Sequence, residues 1–167
     1  HVNAWGIPFV AALLGTKLVL PGPHLDAVSL LDLMQSERVN LAAGVPTLWM
    51  GLLNALNQHP TQWDLVKPMT LIVGGSATPT NLMHGLDAHG LKLVCAWGMT
   101  EVSPLGSIAR LDPQDEVNLS TEAQLALRTT AGLAAPFVEM RLHNKDLGEN
   151  QPWDGESAGE LQLRGQW

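Results

Sequence analysis

Residues 94–104 read Val-Cys-Ala-Trp-Gly-Met-Thr-Glu-Val-Ser-Pro. A short apolar run ends in an aromatic ring, a glycine, a hydroxyl and a carboxylate. Trp97 offers a flat face on which a heteroaromatic base can stack. Gly98, with Met99 beside it, lets a ligand approach the backbone. Thr100 can donate a hydrogen bond to a phosphate oxygen. Glu101 can hold Mg2+, a hard cation that takes carboxylate and phosphate oxygens together. A second stretch, Ile-Val-Gly-Gly-Ser-Ala-Thr-Pro at 72–79, is equipped differently. Gly74 and Gly75 leave backbone bare for a flat ligand. Ser76 adds a hydroxyl, and its N–H is expected near the start of the next helix, where anions are favoured. Each stretch also has a plain structural reading. The glycines suit a tight strand-to-helix turn, Trp97 can fill core, Thr100 can end a strand and Glu101 can be solvated. A site at two neighbouring strand ends is the reading that uses all of these residues together.

The elements that would position these residues follow from hydrophobic spacing. Residues 5–15 read as a helix stopped by Gly15. Residues 17–22 read as a short buried strand. Residues 25–40 carry apolar side chains at helical spacing, and 41–46 are strand-like. Pro46 opens a second amphipathic helix and Pro60 lies past its end. Residues 69–79 are a strand running into glycines, 79–90 a helix closed by Gly90, and 91–98 another strand. The alternation predicts an α/β fold: a parallel-rich sheet with helices on both faces. Continuous apolar strands fit a sheet covered on both sides. In such sheets ligands bind beyond the carboxyl ends of the strands, where both chemical stretches fall. After Glu101 the texture changes. Residues 104–111 suggest one more strand. Ser120 and Glu122 mark a helix N-terminus. Residues 137–144 and 159–165 alternate as half-exposed, antiparallel strands. The expected division is 1–110 as an α/β subdomain, with 111–167 as a helix and the start of a β-rich part.

Composition excludes several classes. Hydrophobic residues make up 46% of the 167, so a packed core is expected. The net charge is −7 and Lys and Arg are not clustered, which leaves no footprint for nucleic acid. No apolar run is long enough to form a transmembrane segment, and no secretory signal is visible. Cys95 is alone in an apolar run and reads as a reduced core thiol. A cytoplasmic location is the expectation. The six histidines show no metal-ligand spacing. Only 15% of the residues are charged, so some apolar surface is expected to meet a neighbour or to drive self-association.

The segments His-Val-Asn-Ala-Trp-Gly, Lys-Leu-Val-Leu-Pro-Gly-Pro, Val-Gly-Gly-Ser-Ala-Thr-Pro, Ala-Trp-Gly-Met-Thr-Glu and Gly-Glu-Leu-Gln-Leu-Arg-Gly occur in one order and spacing. Together they resemble the adenylate-forming acyl-CoA synthetases, in particular medium- to long-chain fatty-acid–CoA ligases, over essentially the whole chain. Most members carry Tyr where this chain has Trp97, and Trp is frequent in the fatty-acyl branch. The resemblance implies two steps. ATP and a fatty acid give acyl-AMP and pyrophosphate; coenzyme A then displaces AMP to form the thioester. It further implies that Thr100 and Glu101 are catalytic, with Glu101 holding Mg2+. Trp97, Gly98 and Met99 would border the nucleotide, with Trp97 stacked on adenine, and Gly74, Gly75, Ser76 and Ala77 would line adenine and acyl group. His1 would sit near the acyl carboxylate, Trp5 would gate the acyl tunnel, and Val45, Pro46 and Thr47 would lie along it. The family's phosphate loop, ribose-binding aspartate and adenylation lysine have no counterpart among these residues. A partial ligase, inactive by itself, is therefore expected; the alternative is a non-enzymatic acyl- or nucleotide-binding or interaction module.

Overall fold

A computed structural model describes residues 2–166. Short helices α1 (Val2–Trp5) and α2 (Ile7–Leu14) lead in. Gly15 ends α2 in the left-handed region, φ 64°, and Thr16 N–H returns to the Ala11 carbonyl at 2.9 Å, which is how glycine closes a helix. Helix α3 (Ala27–Ser36) starts at Asp26, whose carboxylate accepts from the Ser29 N–H at 3.0 Å. Then follow β1 (Leu41–Gly44), α4 (Pro46–Gln58), β2 (Met69–Val73), α5 (Thr80–Ala88) and β3 (Leu91–Gly98).

Strands β1, β2 and β3 lie side by side and parallel. Their pleat splits the residues between two faces. Met69, Leu71, Val73, Leu91 and Leu93 face a core shared with Leu31, Trp49, Leu52, Met83 and Leu86 from the three long helices. Trp49 fixes α4 to the sheet by donating its Nε1–H to the Ile72 carbonyl at 3.3 Å. The opposite face carries half-buried Thr70, Ile72 and Val94 and exposed Lys92. Trp5 meets that face at Gly74, and Glu116 reaches Lys92 there.

The sequence reading placed a fourth parallel strand at 17–22, and this needs correction. Residues 16–21 join neither sheet, and Leu20 is 69% exposed. An apolar run supplies only the side chains of a buried strand. It becomes one when a neighbour completes its backbone ladder, and among the described residues none does.

After β3 the chain makes a 3-10 turn, Thr100–Val102, and returns as β4 (Leu105–Ile108), antiparallel to β3. The register shifts between Trp97 and Gly98, a bulge of the kind that re-aims side chains at the end of a strand. The turn closes through Met99 N–H to the Pro104 carbonyl at 2.9 Å. A Cβ on Gly98 would lie 1.8 Å from that same carbonyl oxygen. Helices α6 (Pro113–Asn118) and α7 (Thr121–Arg128) follow, then β5 (Leu133–Ala134), which pairs with β4. Ser120 caps α7 and Glu122 lies in its first turn, as the sequence indicates. Leu125 of α7 joins the core. Strands β6 (Glu139–Asn144), β7 (Glu149–Gln151) and β8 (Glu160–Arg164) form a separate antiparallel sheet in the order β7-β6-β8.

One ion pair ties α7 to the parallel sheet. Arg128 donates to both carboxylate oxygens of Asp87 in α5, at 2.6 and 2.9 Å, and to the Leu93 carbonyl at 3.2 Å. Leu93 lies on the β3 edge beyond the short β4, so the guanidinium serves where a ladder partner is missing. Its side chain is only 15% exposed. Arg128→Ala is expected to cost about 1–3 kcal/mol, between the exposed and buried limits. Arg164→Ala, from the open pair with Glu139, should change stability by less than about 0.5 kcal/mol. Gly98→Ala should cost at least about 3 kcal/mol, because backbone, not a yielding side chain, occupies the space. Gly75→Ala, at φ 89° but with only Val45 Cγ1 near its added Cβ, should cost about 1–2 kcal/mol. Urea denaturation of the four variants checks all of these; a Gly98→Ala chain as stable as Gly75→Ala would contradict the packing described.

Candidate functional site

Three parallel strand ends open side by side. Gly44 ends β1 and leads into Val45, and the Gly74 N–H reaches the Gly44 carbonyl at 3.4 Å. Val73 pairs with Cys95, so Gly74 stands beside Ala96. A Cβ at Gly74 would come 3.0 Å from the Ala96 carbonyl and 3.4 Å from the Trp5 ring; one at Gly75 would come 3.7 Å from Val45 Cγ1. Trp5, Val45, Gly74, Gly75 and Ala96 are thus drawn together from four separate parts of the sequence. The absent side chains at 74 and 75 leave bare backbone where these residues meet.

The individual residues differ in placement. Gly74 is buried, whereas Gly75, Ser76 and Ala77 are exposed. Val45 and Thr47 are exposed at the mouth, and Pro46 is buried as the first residue of α4. Ser76 does not sit at a helix start, contrary to the sequence reading. Helix α5 begins at Thr80 with Pro79 as its cap, and Pro79 is extended at ψ 136°. The proline biases Thr78 toward extended backbone too, which delays the helix and leaves Ser76 in the connector. His1 lies outside the described residues.

The adjacent strand carries the other group. Trp97 is half-buried and its ring lies across the bare backbone of Gly106. Gly98, Met99, Thr100 and Glu101 are exposed on and before the 3-10 turn. Ser103 ends that turn in the left-handed region, φ 52°. The side chains of Thr100 and Glu101 make no hydrogen bond or ion pair among the described residues, so both are available to a ligand. The short turn and the bulge before it fix where they emerge.

The donor set indicates which ions fit. Among the described residues no group of three His, Cys, Asp or Glu side chains could hold a metal. A lone exposed carboxylate fits Mg2+ only where phosphate oxygens and water complete the coordination. Cationic help for an anion is scarce as well. Of nine Lys and Arg, six are paired with carboxylates: Lys17, Arg38, Lys92, Arg128, Lys145 and Arg164. A phosphorylated ligand would meet hydroxyl, backbone N–H and a Glu101-bound cation.

Sequence reasoning missed Ala96 and Gly106. Ala96 matters through its carbonyl beside Gly74, and Gly106 through the Trp97 ring that lies across it, signals that appear only once β3 is paired with β2 and β4.

Known proteins resemble this chain in sequence and in fold. The chain is 44% identical over its whole length to the medium-chain-fatty-acid–CoA ligase of Ectopseudomonas oleovorans and covers 30% of it. It is 40% identical to the long-chain-fatty-acid–CoA ligase of Thermus thermophilus, again covering 30%. The chain therefore spans less than a third of these relatives. Its fold superposes on the crystal structure of the N-terminal domain of FACL13 from Mycobacterium tuberculosis with a TM-score of 0.74, at 24% identity, over 99% of this chain and 38% of that one. The family model for AMP-binding enzymes matches residues 1–167, and with the motifs and strand ends described above it establishes that the chain belongs to the AMP-binding enzyme family.

Proposed function

We propose that this chain is the acyl- and adenylate-binding part of a fatty-acid–CoA ligase. The observation that carries the reading is the convergence of Trp5, Val45, Gly74, Gly75 and Ala96 beside the strand that ends in Trp97–Glu101. The two relatives named as fatty-acid–CoA ligases support the substrate class. The reaction is adenylation of a fatty acid by ATP with release of pyrophosphate, then displacement of AMP by coenzyme A to give the thioester. In this reading Trp97 stacks on adenine with Gly98 and Met99 beside it. Gly74, Gly75, Ser76 and Ala77 line adenine and the acyl group. Trp5 gates the acyl channel, which runs past Val45, Pro46 and Thr47. Thr100 donates to the nucleotide phosphate. Glu101 holds Mg2+, which when bound offsets the charge that builds on the α-phosphate. Residues 1–110 act as the binding subdomain, with 111–167 passing into the β-rich part. Cytoplasmic residence belongs to the same proposal, supported by the single free thiol of Cys95; among the described residues no helix is long and apolar enough to cross a membrane.

Two further properties belong to the chain by itself. With most of its cations already paired, it is proposed to bind acyl-AMP without catalysing its formation. It is also proposed to self-associate through Phe9, Leu13 and Leu14 on α2, since Leu13 is 83% exposed and open apolar clusters favour burial. Light scattering should show association that Leu13→Glu reduces; a monomer at millimolar concentration would contradict it.

The catalytic reading is tested in a ligase containing this segment. Glu101→Gln should lower adenylation by about 10²–10³-fold, because a neutral amide is a poor ligand for a hard cation. Thr100→Val should cost adenylation about 1.5–3 kcal/mol, one hydrogen bond to a charged group. Thioester formation from supplied acyl-AMP releases no pyrophosphate and should be far less affected. Both side chains are exposed, so melting should be unchanged. If Glu101→Gln adenylates normally, or fails only because it is unfolded, the reading is wrong.

A further inference from the structure

We propose that Gly106 is a positioning residue for Trp97: the bare backbone of β4 sets the plane in which the indole presents its face. The proposal rests on the reading of Trp97 as the adenine platform. Its geometry is steric. A Cβ at Gly106 would stand 2.5 Å from Trp97 Cζ3 and 2.7 Å from Cε3, closer than carbon atoms pack. Gly106 has no left-handed φ, so alanine fits the backbone there, and only the ring excludes it.

The strand cannot retreat to make room. On one side the Met99 N–H holds the Pro104 carbonyl at 2.9 Å and the Ala109 N–H holds the Cys95 carbonyl at 2.8 Å. On the other side the Ala135 N–H holds the Gly106 carbonyl at 2.8 Å, and Ser107 Oγ donates to the Ala131 carbonyl at 2.7 Å. Strand β4 is thus pinned at both edges, whereas the indole turns about two side-chain bonds. Adding one methyl group at 106 moves the ring. The atoms in conflict belong to the Cε3–Cζ3 lobe of the indole, which a phenyl ring lacks. Positions 97 and 106 therefore form a size-matched pair: a tryptophan at 97 demands glycine at 106, and a smaller ring relaxes that demand.

Four versions of this chain test the pair: unchanged, Gly106→Ala, Trp97→Phe and the double variant, each labelled with 5-fluorotryptophan where tryptophan remains. The Trp97 fluorine resonance is the one that Trp97→Phe removes. Gly106→Ala is expected to shift that resonance while leaving those of the other five tryptophans in place, and to lower the melting temperature. In the Trp97→Phe background the same substitution should leave melting unchanged. Titration with AMP should move the Trp97 resonance in the unchanged chain, with affinity on the order of tenfold weaker in Gly106→Ala, the size of a base–aromatic contact. An equal melting loss in both backgrounds, or a Trp97 resonance untouched by Gly106→Ala, overturns the proposal. If Gly106→Ala fails to fold, a folded double variant upholds the pair and an unfolded one overturns it. Should AMP leave the Trp97 resonance unmoved while the melting coupling holds, the nucleotide reading fails and the pairing stands.

Discussion

There is no room for one more carbon atom between Gly98 and the Pro104 carbonyl, and much of the site depends on that. The chain must leave a parallel strand, expose two polar side chains and return antiparallel to the same strand within a few residues. Each backbone group on the way needs a partner. Close approach at Gly98 allows it: the Met99 N–H reaches the Pro104 carbonyl, and a single 3-10 turn spans the gap. Thr100 and Glu101 stand on that turn because it is too short to place them elsewhere. The rigidity comes from backbone, so it survives the exposure that a ligand site requires.

A division of labour follows across the sheet. The face carrying Leu71, Leu93 and Val73 is sealed by helices and supplies hydrophobic stability. The carboxyl edge is built from small residues, Gly44, Gly74, Gly75, Ala96 and Gly98, which let backbone and rings approach one another closely. Trp5 packs against this edge at Gly74, and Trp97 lies across Gly106 on the neighbouring β4. Six of the nine cations are paired with the chain's own carboxylates, which lowers the positive charge free to meet an anion.

The sequence was legible wherever local chemistry determined structure. Gly15 as a helix stop, Pro46 as a helix start, Ser120 as a cap and the apolar strands at 69–73 and 91–98 were all readable, because each acts through near neighbours. The stretch at 17–22 was not, since a strand needs a partner and its side chains do not reveal whether one is present. The short β5 and β7 were missed for want of length, although Asn144–Gly148 carries a turn signal: the Asn144 carboxamide oxygen accepts from the Asp146 and Leu147 N–H groups. Helix α6 begins at an Asp112 cap followed by Pro113, a start signal that carries no apolar stripe behind it. The two chemical stretches stood out in the sequence, but their adjacency depends on the Val73–Cys95 register, which no local pattern specifies.

The central claim is that the glycine-rich end of β2 and the turn after β3 form one nucleotide site. Amide hydrogen exchange of this chain, with and without saturating AMP and Mg2+, tests it most directly. Residues 74–77 and 97–101 should gain protection together, at the same AMP concentration, with the β6–β8 sheet unchanged. Protection confined to one stretch, or located in the β6–β8 sheet instead, would contradict the account.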